Sequence, residues 1–140
     1  MSKFLKGSRG AVAIEFAFIF PLLLAMMFGV VEYGRFLWIQ NTMLHGVEDA
    51  ARYAVFDLRT TASQSTTATN TVAYAKQHMY SMTKLSGMTP VVTYPTGANG
   101  TSMVLVRATY PFKPLISGLT QAANVTITVQ SAQPLKSAVP

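Results

Sequence analysis

The chain has no cysteine, which excludes a disulfide framework and any thiolate metal site. Charge is also scarce. Only 11% of the 140 residues are charged, against roughly 25% in an ordinary soluble domain. Acids are rarest: there are five, the last is Asp57, and residues 58–140 hold six basic side chains and no carboxylate. Those six (Arg59, Lys76, Lys84, Arg107, Lys113 and Lys136) are scattered. Nucleic-acid binding would call for a basic stripe interleaved with aromatics, and none is present, so no nucleic-acid partner is expected. A diffuse positive field favours anionic surfaces instead.

The shortage of acids also bears on catalysis. Glu15, Glu32, Glu48, Asp49 and Asp57 all precede residue 58, and the two histidines, His45 and His78, read as solvated helix residues. A C-terminal region without a carboxylate is a poor place for acid–base chemistry or for ligating a metal. The chain has no nucleophile elbow, phosphate loop or H-E-x-x-H. The expectation is a non-enzyme with no catalytic residues, no metal and no cofactor.

What the chain does have is a long apolar run. Ala11 to Val31 is 21 residues in which Glu15 is the only charge. As a helix it measures about 31 Å, close to the roughly 30 Å hydrocarbon core of a bilayer. Its twelve Leu, Ile, Phe or Val residues favour insertion by about 4–7 kcal/mol, against about 3 for one central charge. A single transmembrane helix in contact with lipid follows. Lys3, Lys6 and Arg9 precede the run with no acid among them, whereas Glu32 and Arg35 roughly cancel after it. The positive-inside rule therefore puts the N-terminus in the cytoplasm and the remainder outside. A secretory signal, the competing reading, would have an apolar region of about 7–15 residues ending in a small-x-small site. This run is longer, holds an acid and leads into E-Y-G-R-F-L-W.

The expected fold is α+β. Tyr33, Phe36 and Trp38 suit an interfacial aromatic belt, and helix formers continue to about Phe56. A helix from Ala11 to Phe56 would be roughly 69 Å long, with a Glu48–Arg52 pair on one face and Pro21 kinking or melting its lower half. R-T-T-A-S-Q-S-T-T-A-T-N (residues 59–70) reads as a loop. A second helix is expected from about Thr71 to Leu85, with Asn70 as its cap, Gly87 as its terminator and an apolar stripe of Val72, Ala75, Met79, Met82 and Leu85. Three antiparallel strands follow in P-V-V-T-Y-P, S-M-V-L-V-R-A-T-Y and N-V-T-I-T-V-Q, with Val125, Ile127 and Val129 on one face. Asn99-Gly100 marks a hairpin whose loop Pro95 lengthens. Y-P-F-K-P-L reads as an extended crossing with a short helical turn after it. The expected segments are a basic leader (1–10), the transmembrane helix (11–31), an extracytoplasmic helical stalk (32–58) and a small head (59–140).

Glu15 asks for a counter-ion, because a lone membrane carboxylate needs a cationic or hydrogen-bonding partner. The apolar run supplies none, and Arg9 lies six residues away on a different helix face. Cutting between Gly10 and Ala11 would create one. The new α-amine has a reference pKa of about 7.7–8 and lies four residues from Glu15. It can neutralise its own Glu15 or that of a neighbouring helix staggered by one turn. The carboxylate then acts as a register pin, as a buried polar group does in a coiled coil.

A short basic leader ending in glycine, then an apolar helix with glutamate at its fifth position, resembles the type IV prepilin processing pattern at Gly10, Ala11 and Glu15. R-G-A-V-A-I-E-F-A-F-I-F-P-L-L-L, V-V-E-Y-G-R-F, D-A-A-R-Y-A and the later Y-P-F-K-P-L narrow it. From Arg9 to about Ala54 the chain resembles the TadE-like minor pilins (pseudopilins) of the tight-adherence, or Flp, pilus. The sister TadF type and the anchor of the much larger TadG type share the N-terminal pattern, and length argues against TadG. The resemblance implies a prepilin peptidase that cuts between Gly10 and Ala11, with Glu15 guiding processing or subunit insertion. It further implies other pilins, minor pilins and the inner-membrane assembly platform as partners. The location implied is the bacterial inner membrane, with the head periplasmic, or the pilus itself.

Glu15, Pro21, Glu32, Tyr33 and Arg35 are the expected helix-assembly positions. Each also has a plainer reading. Glu15 can snorkel to the cytoplasmic interface, Glu32 and Arg35 can be an interfacial ion pair of little net energy, and Pro21 can be a tolerated kink. The N-x-T triplets at Asn99 and Asn124 read as chance matches to a glycosylation pattern. The alternative of another functional class is an uncleaved, membrane-tethered binding module with a basic head.

Overall fold

The computed structural model describes residues 8–61, 63–84, 86–97, 100–115 and 125–135. Two helices, α1 (Ser8–Thr61) and α2 (Gln64–Thr83), precede three strands, β1 (Thr89–Thr93), β2 (Met103–Phe112) and β3 (Val125–Pro134). The fold is α+β, as expected. The chain forms two compact units, Met1–Arg35 and Phe36–Pro140.

In the first unit α1 is apolar on every side and exposed on nearly every side. Phe18 is 79% exposed and Val30 74%, and none of the most apolar 18-residue window is buried. In water such a surface would be costly, at about 25 cal/mol per Å2. It matches a helix solvated by lipid. The helix is unbroken through Pro21, so no melted turn appears there.

The second unit packs α1, α2 and one sheet face around a single core. From α1 come Ile39, Met43, Val47, Ala50, Ala51 and Ala54, spaced by three or four residues so that they share a helix face. From Phe36 onward the stretch expected as a stalk is therefore this unit's core helix. Small residues let α2 approach closely. Gly46 lies against Met79, and the Tyr53 and Tyr74 rings stack at 4.5 Å. The sheet contributes Val104, Val106, Ala108 and Phe112 from β2 and Ile127 and Val129 from β3. Phe112 meets Phe36 edge-on at 5.5 Å.

Several sequence expectations are corrected around α2. The Ser/Thr tract is helical almost throughout: α1 runs to Thr61 and α2 begins at Gln64. Ser63, not Asn70, holds the N-cap position. Thr67 and Thr71 are buried, so their methyl groups take core positions that the polarity of the tract conceals. The buried stripe is accordingly Thr67, Thr71, Ala75 and Met79, while Met82 is exposed and Leu85 lies outside the described residues. Asn70 points across to α1, where its Nδ2 donates to Asp57 Oδ2 at 3.2 Å. The helix ends on Lys84 rather than Gly87. Lys84 is left-handed (φ 55°), and its N–H donates to the Tyr80 carbonyl at 2.8 Å, an αL cap.

The strands pair antiparallel in the order β1-β2-β3. The expected hairpin loop is long. A Thr96–Ser102 bridge extends the ladder, Gly97 N–H donates to the Thr101 carbonyl at 2.8 Å, and Gly100 takes φ 72°; Asn99 is outside the described residues. Y-P-F is the end of β2 rather than a crossing, and β3 continues to Pro134. Prolines are tolerated here for a geometric reason. Met103 N–H donates to the Pro95 carbonyl and Leu135 N–H to the Ser102 carbonyl. By antiparallel alternation, odd residues of β2 face β1 and even ones face β3. Pro111 therefore faces the β1 side, beyond the last pair, Thr89 with Thr109. Pro90 and Pro134 direct their nitrogens away from β2. No ladder donor is lost.

Candidate processing and assembly site

The residues expected to direct processing lie at the start of α1. Gly10, Ala11 and Glu15 are helical and exposed, with Glu15 one turn, or about 6 Å of rise, beyond Ala11. Among the described side chains no hydrogen bond or ion pair reaches Glu15. A Cβ at Gly10 would meet no heavy atom within 4 Å, and the same is true of Gly29 and Gly34. The fold itself thus gives no steric reason for glycine at position 10. Lys3 and Lys6 lie outside the described residues, and Arg9 is on the helix.

Glu32 and Arg35 do meet. Arg35 Nη2 donates to Glu32 Oε1 at 2.6 Å, and the Arg35 and Glu32 side chains are only 30% and 15% exposed, respectively. They form a close, partly desolvated pair rather than two separate surface charges. Tyr33, between them, is exposed, and Pro21 lies inside the helix 12 residues before Tyr33. These expected assembly positions are spread along α1 and do not converge on one point.

Other polar contacts join the helices of the second unit. Glu48 does not pair with Arg52; its carboxylate is 3.8 Å from His45 Nδ1. His78, expected to be solvated, stacks on Tyr74 at 5.6 Å between ring centroids, and its Nε2 lies 3.3 Å from Asp49 Oδ2. Asp57, near the end of α1, accepts from Asn70 on α2. Beside it the Tyr94 hydroxyl donates to the Gln64 carbonyl at 3.1 Å. Burial, and then the Asp57 charge, push the Tyr94 pKa above its ordinary value of 10.0, because a phenolate there would be poorly solvated and close to a carboxylate. Sequence spacing gave no sign of the His78–Asp49 and Asn70–Asp57 pairs, since both depend on how α1 and α2 pack.

The model of the family described as TadE-like protein matches residues 10–52. No curated protein and no solved structure matches the chain. The matched stretch starts at Gly10 and includes Glu15, Pro21, the Glu32–Arg35 pair and Asp49. One long apolar helix within it fits a membrane-anchored, pilin-like protein. Residues 10–52 thus match the TadE-like family of Tad pilus systems.

Proposed function

We propose that the chain is a minor pilin, or pseudopilin, that takes part in assembling a Tad/Flp-type pilus after its leader is cut between Gly10 and Ala11. The observation that carries this reading is Glu15, an exposed carboxylate with no hydrogen bond or ion pair among the described residues, in the otherwise uncharged stretch from Ala11 to Val31. Cleavage would place an ammonium group one turn away. At neutral pH that amine is mostly charged, and in lipid it would satisfy Glu15 in the same helix or an adjacent subunit.

In this reading residues 1–10 are the cytoplasmic leader and 11–31 the transmembrane helix, with everything after it outside the inner membrane. The substrate relationship is with a prepilin peptidase. The assembly partners are other pilins, minor pilins and the membrane platform, which the all-round exposure of the first unit supports. Such a subunit would initiate or cap the filament, or contact the platform.

N-terminal sequencing or intact mass of protein from native membranes tests the proposal. Ala11 is expected as the first residue. A chain that keeps Met1, or begins elsewhere, would instead favour the membrane-tethered binding module.

A further inference from the structure

We infer that the second unit carries a binding groove for an acidic saccharide beside the C-terminal half of α2. The groove is about 630 Å3 and is lined by Ala73, Lys76, Gln77, Tyr80, Ser86 and Met88. That volume is within the roughly 300–1,000 Å3 of small-molecule sites. The inference rests on this unit alone and holds whether or not the chain enters a filament.

The lining defines the ligand. Tyr80 is 53% exposed and offers an apolar platform edged by a hydroxyl. Lys76 is one helical turn before it and exposed, and Lys84 one turn after, its Nζ 5.8 Å from the ring centroid. Lys84 also caps α2, where a cation offsets the carbonyl end of the helix. Lys76 is therefore the cation left for a ligand. Nothing acidic competes for it: every acid of the second unit is on α1, and Glu48, Asp49 and Asp57 already face His45, His78 and Asn70. Gln77 and Ser86 add an amide and a hydroxyl, groups suited to sugar hydroxyls. Gly87, at φ 96°, also lines the groove, in a conformation that other residues adopt only with strain.

A sugar ring on Tyr80 with its carboxylate on Lys76 uses every one of these groups. Single-stranded nucleic acid uses fewer, because binding it takes a succession of aromatics along a basic channel, and this groove has one ring.

The test is calorimetric titration of full-length protein in zwitterionic lipid nanodiscs with a trimer of galacturonate. A neutral galactose trimer and a short single-stranded oligonucleotide serve as comparisons. Saturable binding of the acidic trimer is expected, at least tenfold tighter than the neutral one. Lys76→Gln and Tyr80→Ala should each weaken it about tenfold, the low end of a charge-assisted contact. Both side chains are exposed, so circular dichroism should be unchanged. Arg107→Gln, which removes the same charge from the far face of the sheet, should change binding less than twofold. The inference is overturned if the acidic trimer does not saturate, if the neutral trimer binds as well, or if the oligonucleotide binds more tightly. Equal loss in Arg107→Gln would overturn it too, since the attraction would then be the diffuse field of the whole unit.

Discussion

A Cβ added to Gly46 would overlap Met79 Cγ, whereas one added to Gly10 has open space around it. The two glycines therefore serve different ends. Gly46→Ala should lower stability by about 1–3 kcal/mol, the usual cost of overpacking, read as a lower denaturant midpoint. Gly10→Ala should leave that midpoint unchanged or slightly raised, since alanine is the better helix former, yet leave an uncut precursor band in membranes. Normal processing of Gly10→Ala would count against the assigned cut. Tyr94 gives a second test at this scale. Its pKa is raised in the fold, so the native state holds the phenolic proton more tightly than the unfolded chain does. The associated stability is complete below the unfolded value near pH 10 and disappears as pH rises through the native one. Tyr94→Phe should therefore flatten the alkaline fall in stability above about pH 10, measured by urea unfolding across that range.

The same physics decides which elements the sequence reveals. Ala11 to Val31 is legible because its side chains are uncharged on every face except at Glu15, the pattern of a helix that crosses lipid. β3 is legible because Ile127 and Val129 alternate with Thr128 and Gln130. The first half of α2 is not, because Thr67 and Thr71 fill core positions with residues whose polarity and weak helix propensity point to a loop. At the candidate site, Gly10, Ala11 and Glu15 are legible as a local pattern, while His78–Asp49 and Asn70–Asp57 depend on how two helices pack. The Thr71 hydroxyl is buried with no hydrogen-bond partner among the described residues, a state that costs about 1–3 kcal/mol. Thr71→Val keeps the shape and removes that penalty, so it should raise stability by about 1 kcal/mol in chemical denaturation. Thr67→Val should give no such gain, because Thr67 does have interactions. Equal gains would mean that both hydroxyls are wasted and α2 is held by methyl packing alone.

At the scale of the whole molecule, composition changes near Arg59, where the acids stop, but packing changes at Phe36. A fragment of residues 36–140 keeps Ile39, Met43, Val47, Ala50, Ala51 and Ala54 against Met79, Val104, Val106 and Phe112. It also sheds the apolar surface that requires lipid. It should be soluble without detergent and unfold in one cooperative transition. A fragment of residues 59–140 retains the sheet and α2 but loses all six α1 core residues. Even three large side chains among them, Ile39, Met43 and Val47, represent about 5–9 kcal/mol of burial at about 1.5–3 each. That is comparable to the whole stability of a typical domain, so this fragment should show no cooperative melt. Thermal unfolding of the two by circular dichroism separates the possibilities. If 59–140 melted as sharply as 36–140, residues 36–58 of α1 would be a spacer after all, and the sheet would have a core of its own.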